Sequence, residues 1–235
     1  MHIILEGLDG TGKTTLLNAL SEELEAKKVF DVVEFEKIHD RKPLAVDVNR
    51  GVALQEADVV LVAEPTHSGI GRVIRSELIG ITSREYSQET LAQAYALDRE
   101  ILLKTIVLPA LKRGQTVVQS RSWISSIIYQ KALNKELSVS ELRAIPGNIL
   151  AEQYLPTAVI YTRVATPKQI LKRMKGRNYD KHENLEVQTK VFAAYESEWF
   201  RMYLETIGLK WIEVDVSGEV HEGVKNFLEA YRTLK

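Results

Sequence analysis

A mainly parallel α/β sheet with helices on both faces is the fold class predicted for this 235-residue chain. Three observations predict it. Short apolar runs alternate with amphipathic helical stretches along the chain, the pattern of strands joined by crossover helices. A glycine-rich loop lies between the first run and the first helical stretch, where a doubly wound sheet holds its ligand. No internal repeat, low-complexity tract or linker divides the chain, so one domain over 1–235 is expected.

The elements follow in order. Residues 2–6, HIILE, read as a buried strand. Gly7-Leu8-Asp9-Gly10-Thr11-Gly12-Lys13-Thr14 follows at once and fits G-x-x-x-x-G-K-[ST]. Leu16, Leu17, Leu20 and Leu24 then recur at helical spacing. A strand before this motif and a helix after it is the context that marks a P-loop. Glycine lets the backbone curl so that N–H groups face phosphate oxygens, and the helix N-terminus adds positive charge. Gly7, Gly10, Thr11, Gly12, Lys13, Thr14 and Thr15 are thus the predicted ATP cradle. Lys13 would neutralise the β and γ phosphates, and the Thr14 hydroxyl would ligate Mg²⁺.

Residues 29–57 are mixed; VFDVVEF can be a strand, and Arg41-Lys42-Pro43 marks a break. Residues 58–63, DVVLVA, form a second clear strand, stopped by Glu64-Pro65. Residues 70–79 and 87–111 read as helices, the second kinked near Pro109 and ended by Gly114. Residues 116–119 are a third strand, and 125–133 and 138–154 are helical. Ser138 and Glu141 form a capping box for the latter, which Pro146-Gly147 interrupts. Residues 158–164 are a fourth strand, and Thr166-Pro167 opens the next helix. A helix over 185–207 ends at Gly208, residues 211–216 are a fifth strand, and a helix bearing Val220, Val224, Phe227 and Tyr231 closes the chain. The expected architecture is therefore a three-layer P-loop NTPase fold around five strands.

Composition narrows the function classes. With 45% hydrophobic residues the chain can build a sizeable core. Its 31 basic and 32 acidic residues argue against an extended nucleic-acid tract. Absence of cysteine excludes disulfides, thiol nucleophiles and thiolate metal sites. No apolar run approaches the length of a membrane helix, and the start resembles no signal peptide, so a cytoplasmic protein without a membrane partner is expected.

A P-loop specifies a nucleotide, not a reaction, and three later segments narrow it. Glu64 ends a strand, at the edge where the ligand crevice of an open sheet lies; the proline after it forces it extended in any case. Tyr95 and Arg99 share a helix face and can hold a planar base, although a core tyrosine beside a surface arginine has the same spacing. Arg121 follows the third strand and can grip an acceptor phosphate bidentately; Ser125 can cap the next helix, with Ser126, Tyr129 and Gln130 near one another on its first turns.

These segments resemble thymidylate kinases, within the nucleoside monophosphate kinases. EGLDGTGKTT is similar to that family's P-loop. EPTHSGIGRVIRSEL is similar to its second-strand segment, and YALDREILLKTIVLPALKRGQTVVQSRSWISSIIYQ to its F-x-x-x-R helix and D-R-Y-x-x-S-S-x-x-Y-Q signature. RMKGRNYDKHE resembles its arginine-rich lid, here about 173–183. The resemblance implies transfer of the γ-phosphoryl group of ATP to dTMP with Mg²⁺. It implies that Tyr95 stacks on the base, Arg99 reaches a base carbonyl, Ser126 and Gln130 read the base edge, and Tyr129 crowds the sugar. Arg121 would hold the acceptor phosphate, with Arg75 a further substrate-binding cation converging on the same crevice, and Asp9 the acceptor sugar and a metal-bound water; Glu64 is the alternative carboxylate near the metal. Arg173, Lys175 and Arg177 would close over ATP, and the lid would supply the catalytic cation because the loop carries Gly10. A homodimer is implied as well.

The departures are specific. Ser120, Ser122, Ala63, Arg163 and Lys181 stand where aspartate, tyrosine, arginine, aspartate and arginine are usual, and 29–57 is longer than the usual connection. Two other readings therefore stay open: a kinase for another nucleoside monophosphate, and a nucleotide-binding protein with a degraded site.

Overall fold

The structure is a computed structural model that describes residues 1–24, 28–38, 48–173 and 180–234. Its sheet has six parallel strands in the order β2-β3-β4-β1-β5-β6. They are β1 (His2–Glu6), β2 (Val29–Asp31), β3 (Val59–Ala63), β4 (Thr116–Ser120), β5 (Ala158–Arg163) and β6 (Trp211–Asp215). The strand beyond the expected five is β2, three residues on the open edge of β3. It has no full alternation to read, which is why the sequence marks it only weakly.

The central strands are apolar because helices cover both faces. Ile3, Ile4, Leu5, Val60, Val118 and Ile160 are at most 1% exposed, and each such side chain contributes about 1.5–3 kcal/mol by leaving water. Around the sheet lie α1 (Lys13–Glu23), α2 (Val32–Ile38), α3 (Val48–Glu56), α4 (Gly69–Val73), α5 (Gln88–Leu102), α6 (Leu108–Lys112) and α7 (Trp123–Leu133). Then follow α8 (Val139–Arg143), α9 (Pro146–Gln153), α10 (Pro167–Arg173), α11 (Leu185–Tyr195), α12 (Glu198–Ile207) and α13 (Val220–Arg232). Among the described residues no helix is long and apolar enough to cross a membrane.

Several expected helices are divided. The 87–111 stretch becomes α5, a wide π turn over Leu103–Val107, and α6. Pro109 sits at the start of α6, where its missing N–H costs least. The 138–154 stretch is α8, with the Ser138–Glu141 capping box, and α9 with Pro146 in its first turn. The 185–207 stretch breaks between Tyr195 and Glu198 into α11 and α12. Helix α7 begins at Trp123, and its cap is Ser122, not Ser125: the Ser122 hydroxyl accepts the Ile124 N–H at 3.2 Å.

The topology fixes where the chemistry lies. From β1 the chain moves to strands on one side and later to β5 on the other, so the sheet reverses direction of progression at β1. A crevice opens at the carboxyl ends of the strands at such a point. The P-loop, Glu64 and Arg121 all follow directly on the carboxyl ends of β1, β3 and β4.

Candidate active site

The first wall is the loop between β1 and α1. Gly7 has φ of 139°, and a Cβ there would sit 2.2 Å from the Thr162 hydroxyl on β5. Gly12, with φ of 88°, turns the chain into α1. Lys13 is buried, and its ammonium donates to the carbonyls of Gly7 at 3.0 Å and Leu8 at 2.6 Å. Burial and the nearby Arg121 charge lower its pKa to about 7, against the pull of Asp9 and Glu6. The Thr11 hydroxyl bonds Leu8 O at 3.0 Å and Thr162 at 2.7 Å. Thr14 and Thr15 are exposed on the first turn of α1, and Thr14 faces the crevice.

That crevice has a volume of about 370 Å³, and Asp9, Gly10, Gly12, Lys13, Glu64, Arg75, Tyr95, Arg99, Arg121, Ser126, Tyr129 and Gln130 all line it. The sequence-predicted residues from four separate segments thus converge.

Its middle is organised by Arg121, the described non-glycine residue with positive φ, 68°. A left-handed backbone costs a non-glycine residue of order 1–3 kcal/mol and persists where the surroundings enforce it. Here the Arg121 N–H is tied to Leu5 O at 2.8 Å. Its guanidinium pairs with Asp9, donates to Ser125 Oγ at 3.0 Å and lies 5.2 Å from the centre of the Tyr129 ring. Asp9 also accepts from the Tyr129 hydroxyl at 2.7 Å and Gln188 Nε2 at 3.1 Å. Burial alone would raise its pKa; the Arg121 and Lys13 charges outweigh burial and hold the carboxyl well below the usual range.

At the far end, Tyr95 and Arg99 share a face of α5. Arg99 is 1% exposed and is fully engaged: Nε donates to Glu64 at 2.8 Å, Nη2 to Ser126 Oγ at 3.0 Å, and Nη1 to Asn148. Glu64 takes a further bond from Gln119 Nε2 at 2.7 Å. Burial pushes the Glu64 carboxyl up to about 7 even with Arg99 beside it. Gln130, fully buried on α7, has neither its amide nitrogen nor its amide oxygen partnered.

Several contributors were not singled out from sequence. Glu6, at the end of β1, accepts from Ser122 at 2.7 Å, Ser125 at 2.6 Å and Tyr195 at 2.9 Å. Asp98 holds the Thr66 N–H at 2.7 Å and hydroxyl at 2.6 Å. Asp180, His182 and Glu183 close the crevice from the end of the expected lid. A signal existed for Asp98, which lies between Tyr95 and Arg99; Gln188 and Glu6 carry none, because their partners are distant in sequence.

Arg75 donates to the carbonyls of Pro65 at 3.1 Å and Thr66 at 3.2 Å. Arg173 donates to the carbonyls of Ser217 at 3.0 Å and Gly218 at 2.7 Å, and it is not among the crevice residues. Lys175 and Arg177 lie outside the described residues. The departures also find places. Arg163 is at the surface, paired with Glu196 at 3.1 Å. Ala63 and Ser120 are direct neighbours in the β3–β4 register.

The family model described as thymidylate kinase matches residues 50–225, three quarters of the chain. The chain belongs to the thymidylate kinase family. A thymidylate kinase of Mycoplasma mobile is 27% identical over 233 residues, covering 98% of this chain and 97% of the relative. A probable thymidylate kinase of Pyrococcus abyssi is 30% identical over 199 residues, covering 82% and 80%. A probable thymidylate kinase of Pyrococcus horikoshii is 32% identical over 139 residues, covering 58% of this chain and 54% of the relative. The matched stretch of the family model starts after the P-loop, whereas the Mycoplasma mobile alignment spans nearly the whole chain. Membership of the thymidylate kinase family makes this an ATP-dependent nucleoside monophosphate kinase, acting on nucleotides.

Proposed function

We propose that the chain transfers the γ-phosphoryl group of ATP to dTMP, giving dTDP. The observation that carries the acceptor assignment is Gln130: a fully buried amide with donor and acceptor both unpaired, in the crevice that Tyr95 lines. Leaving such a group unpaired costs about 1–3 kcal/mol, and a pyrimidine edge that both donates and accepts satisfies both atoms. Tyr95 supplies the stacking face, Ser126 a second polar contact, and Tyr129 limits space at the sugar.

Phosphoryl transfer depends on in-line positioning and cationic charge more than on a nucleophilic side chain. Lys13 already sits in a ring of loop carbonyls; phosphate charge would draw its ammonium outward and raise its pKa again from about 7. Arg121 is held ready by Asp9, Ser125 and Tyr129, and an acceptor phosphate would compete with Asp9 for it bidentately. The donor set suits Mg²⁺: the Thr14 hydroxyl faces the crevice, while Asp9 and Glu64 are held by cations and leave Asp9 a role through water only. When bound there, Mg²⁺ supplies charge neutralisation at the transferring phosphate.

The chain pairs with a second copy through the apolar side chains exposed on α5 and the neighbouring α9, Leu97, Ile101 and Ile149, with Tyr154 beside them. The function is tested by incubating the protein with ATP, Mg²⁺ and dTMP and resolving dTDP. Absence of dTDP, with ADP released in water alone, would overturn the reading.

A further inference from the structure

Residues 29–38 precede the stretch matched by the family model, and the resemblance leaves them without a role. Their placement gives them one. Strand β2 runs parallel to β3, in register from Val29 with Val59 to Asp31 with Leu61, so its carboxyl end opens on the side of the crevice. Helix α2 starts there without a connecting loop, its first turn held by Asp31 Oδ1, which accepts from the N–H groups of Val33 at 2.8 Å and Glu34 at 3.1 Å.

From α2 the side chain of Glu36, 5% exposed, reaches the loop that follows β3. It accepts from the His67 N–H at 2.7 Å and the Ser68 hydroxyl at 2.6 Å. Asp98 holds Thr66 of the same loop from α5. The loop carrying Glu64, Pro65 and His67 into the crevice is thus held by two carboxylates, Glu36 from α2 and Asp98 from α5. Next to Glu36, Lys37 lines the crevice, and with His67 and Arg75 it also borders a second cleft at the crevice mouth. Its ammonium lies near enough to His67 to help burial and Arg75 lower that imidazole's pKa to about 4. Lys37 is half exposed, and its described partner is Glu34 at 2.8 Å. A pair of that exposure contributes at most about 1 kcal/mol, so the ammonium can turn to a stronger anion at little cost.

We propose that Lys37 is a ligand of the acceptor phosphate supplied by the insertion, and that Glu36 is the positioning residue fixing α2 to the loop after β3. This rests on the reading of the crevice as a nucleoside monophosphate site. An ammonium–phosphate contact at a half-exposed site is worth about tenfold in affinity.

The test uses the full chain, with dTMP as acceptor and thymidine, which lacks the phosphate, as competitor. Lys37→Ala should raise the acceptor KM by about tenfold, leave kcat and the ATP KM within about twofold, and leave thymidine binding unchanged; Lys37→Arg should recover most of the loss. Glu36→Gln should raise the same KM selectively, and Ser68→Ala, which removes one of its two bonds, should do so more weakly even if Glu36→Gln folds poorly. The proposal is overturned if Lys37→Ala leaves the dTMP KM unchanged, or weakens dTMP, ATP and thymidine alike. It is overturned for Glu36 if both Glu36→Gln and Ser68→Ala melt earlier with no change in that KM. A wild-type chain that phosphorylates no nucleoside monophosphate would instead refute the functional reading beneath it.

Discussion

Arg99→Met tests the hub that joins the base end of the crevice to the sheet. Methionine is of similar length but donates nothing, and the change strips Glu64, Ser126 and Asn148 of one donor each. All three are at most 4% exposed, so water cannot replace the guanidinium. Removing one member of a buried ion pair costs about 3–5 kcal/mol when the other must stay charged. Glu64 can avoid part of that by binding a proton. Its pKa is already raised from 4.5 to about 7 with Arg99 present, and losing the guanidinium moves it higher.

The sign follows by linkage. A carboxyl whose folded pKa exceeds its unfolded value makes the folded state bind the extra proton, and the stability this contributes is lost as pH rises through the folded pKa. At pH 6 Glu64 is mainly neutral in both proteins, and the deficit is that of lost hydrogen bonds, about 1–3 kcal/mol. At pH 8 wild-type Glu64 is ionised and paired, whereas the variant must bury a lone carboxylate or keep a proton; with a wild-type pKa of about 7, linkage adds up to about 1.4 kcal/mol to the deficit between the two pH values. Urea melts at the two pH values measure this directly. For a chain of this size an added loss of about 1.4 kcal/mol at pH 8 corresponds to about 3–6 °C in Tm. A deficit below about 1 kcal/mol at pH 8 would refute the hub, and an equal deficit at both pH values would refute titration of Glu64.

Two further outcomes are expected. Gln130→Leu removes a buried amide with no partner, so it should stabilise the ligand-free protein by about 1–3 kcal/mol while lowering kcat/KM for dTMP; a melting temperature that falls would mean that Gln130 is satisfied in the free protein. Leu97→Glu, placing a charge in the apolar face of α5, should convert a sedimenting dimer to a monomer; a wild-type chain that sediments as a monomer at micromolar concentration contradicts the pairing.

What was legible in the sequence was local. The P-loop could be read because its strand, glycines and helix are contiguous, and Glu64 and Arg121 because each directly follows an apolar run. The edge strand β2 has no readable pattern: three half-buried residues have too short an alternation, and its pairing with β3 is a contact across the chain. The break between α11 and α12 was hidden because apolar spacing continues through it. Glu64 is expected at the crevice and lines it, but the partners of its carboxylate, Arg99 and Gln119 from separate segments, carry no local signal. Gln188, which exchanges two hydrogen bonds with Asp9 from 179 residues away, has no local signature at all. Side chains that act through long-range hydrogen bonds become visible only once the sheet has placed the strand ends together.

The measurement that bears most directly on the account is kcat/KM with ATP and Mg²⁺ across a panel of dTMP, dUMP, dCMP, dAMP, dGMP and UMP. A site that stacks a pyrimidine on Tyr95, reads its edge with Gln130 and crowds the sugar with Tyr129 predicts dTMP as the best acceptor, with UMP far behind. A purine or cytosine nucleotide turned over better than dTMP, or no transfer to any of the six, would contradict it.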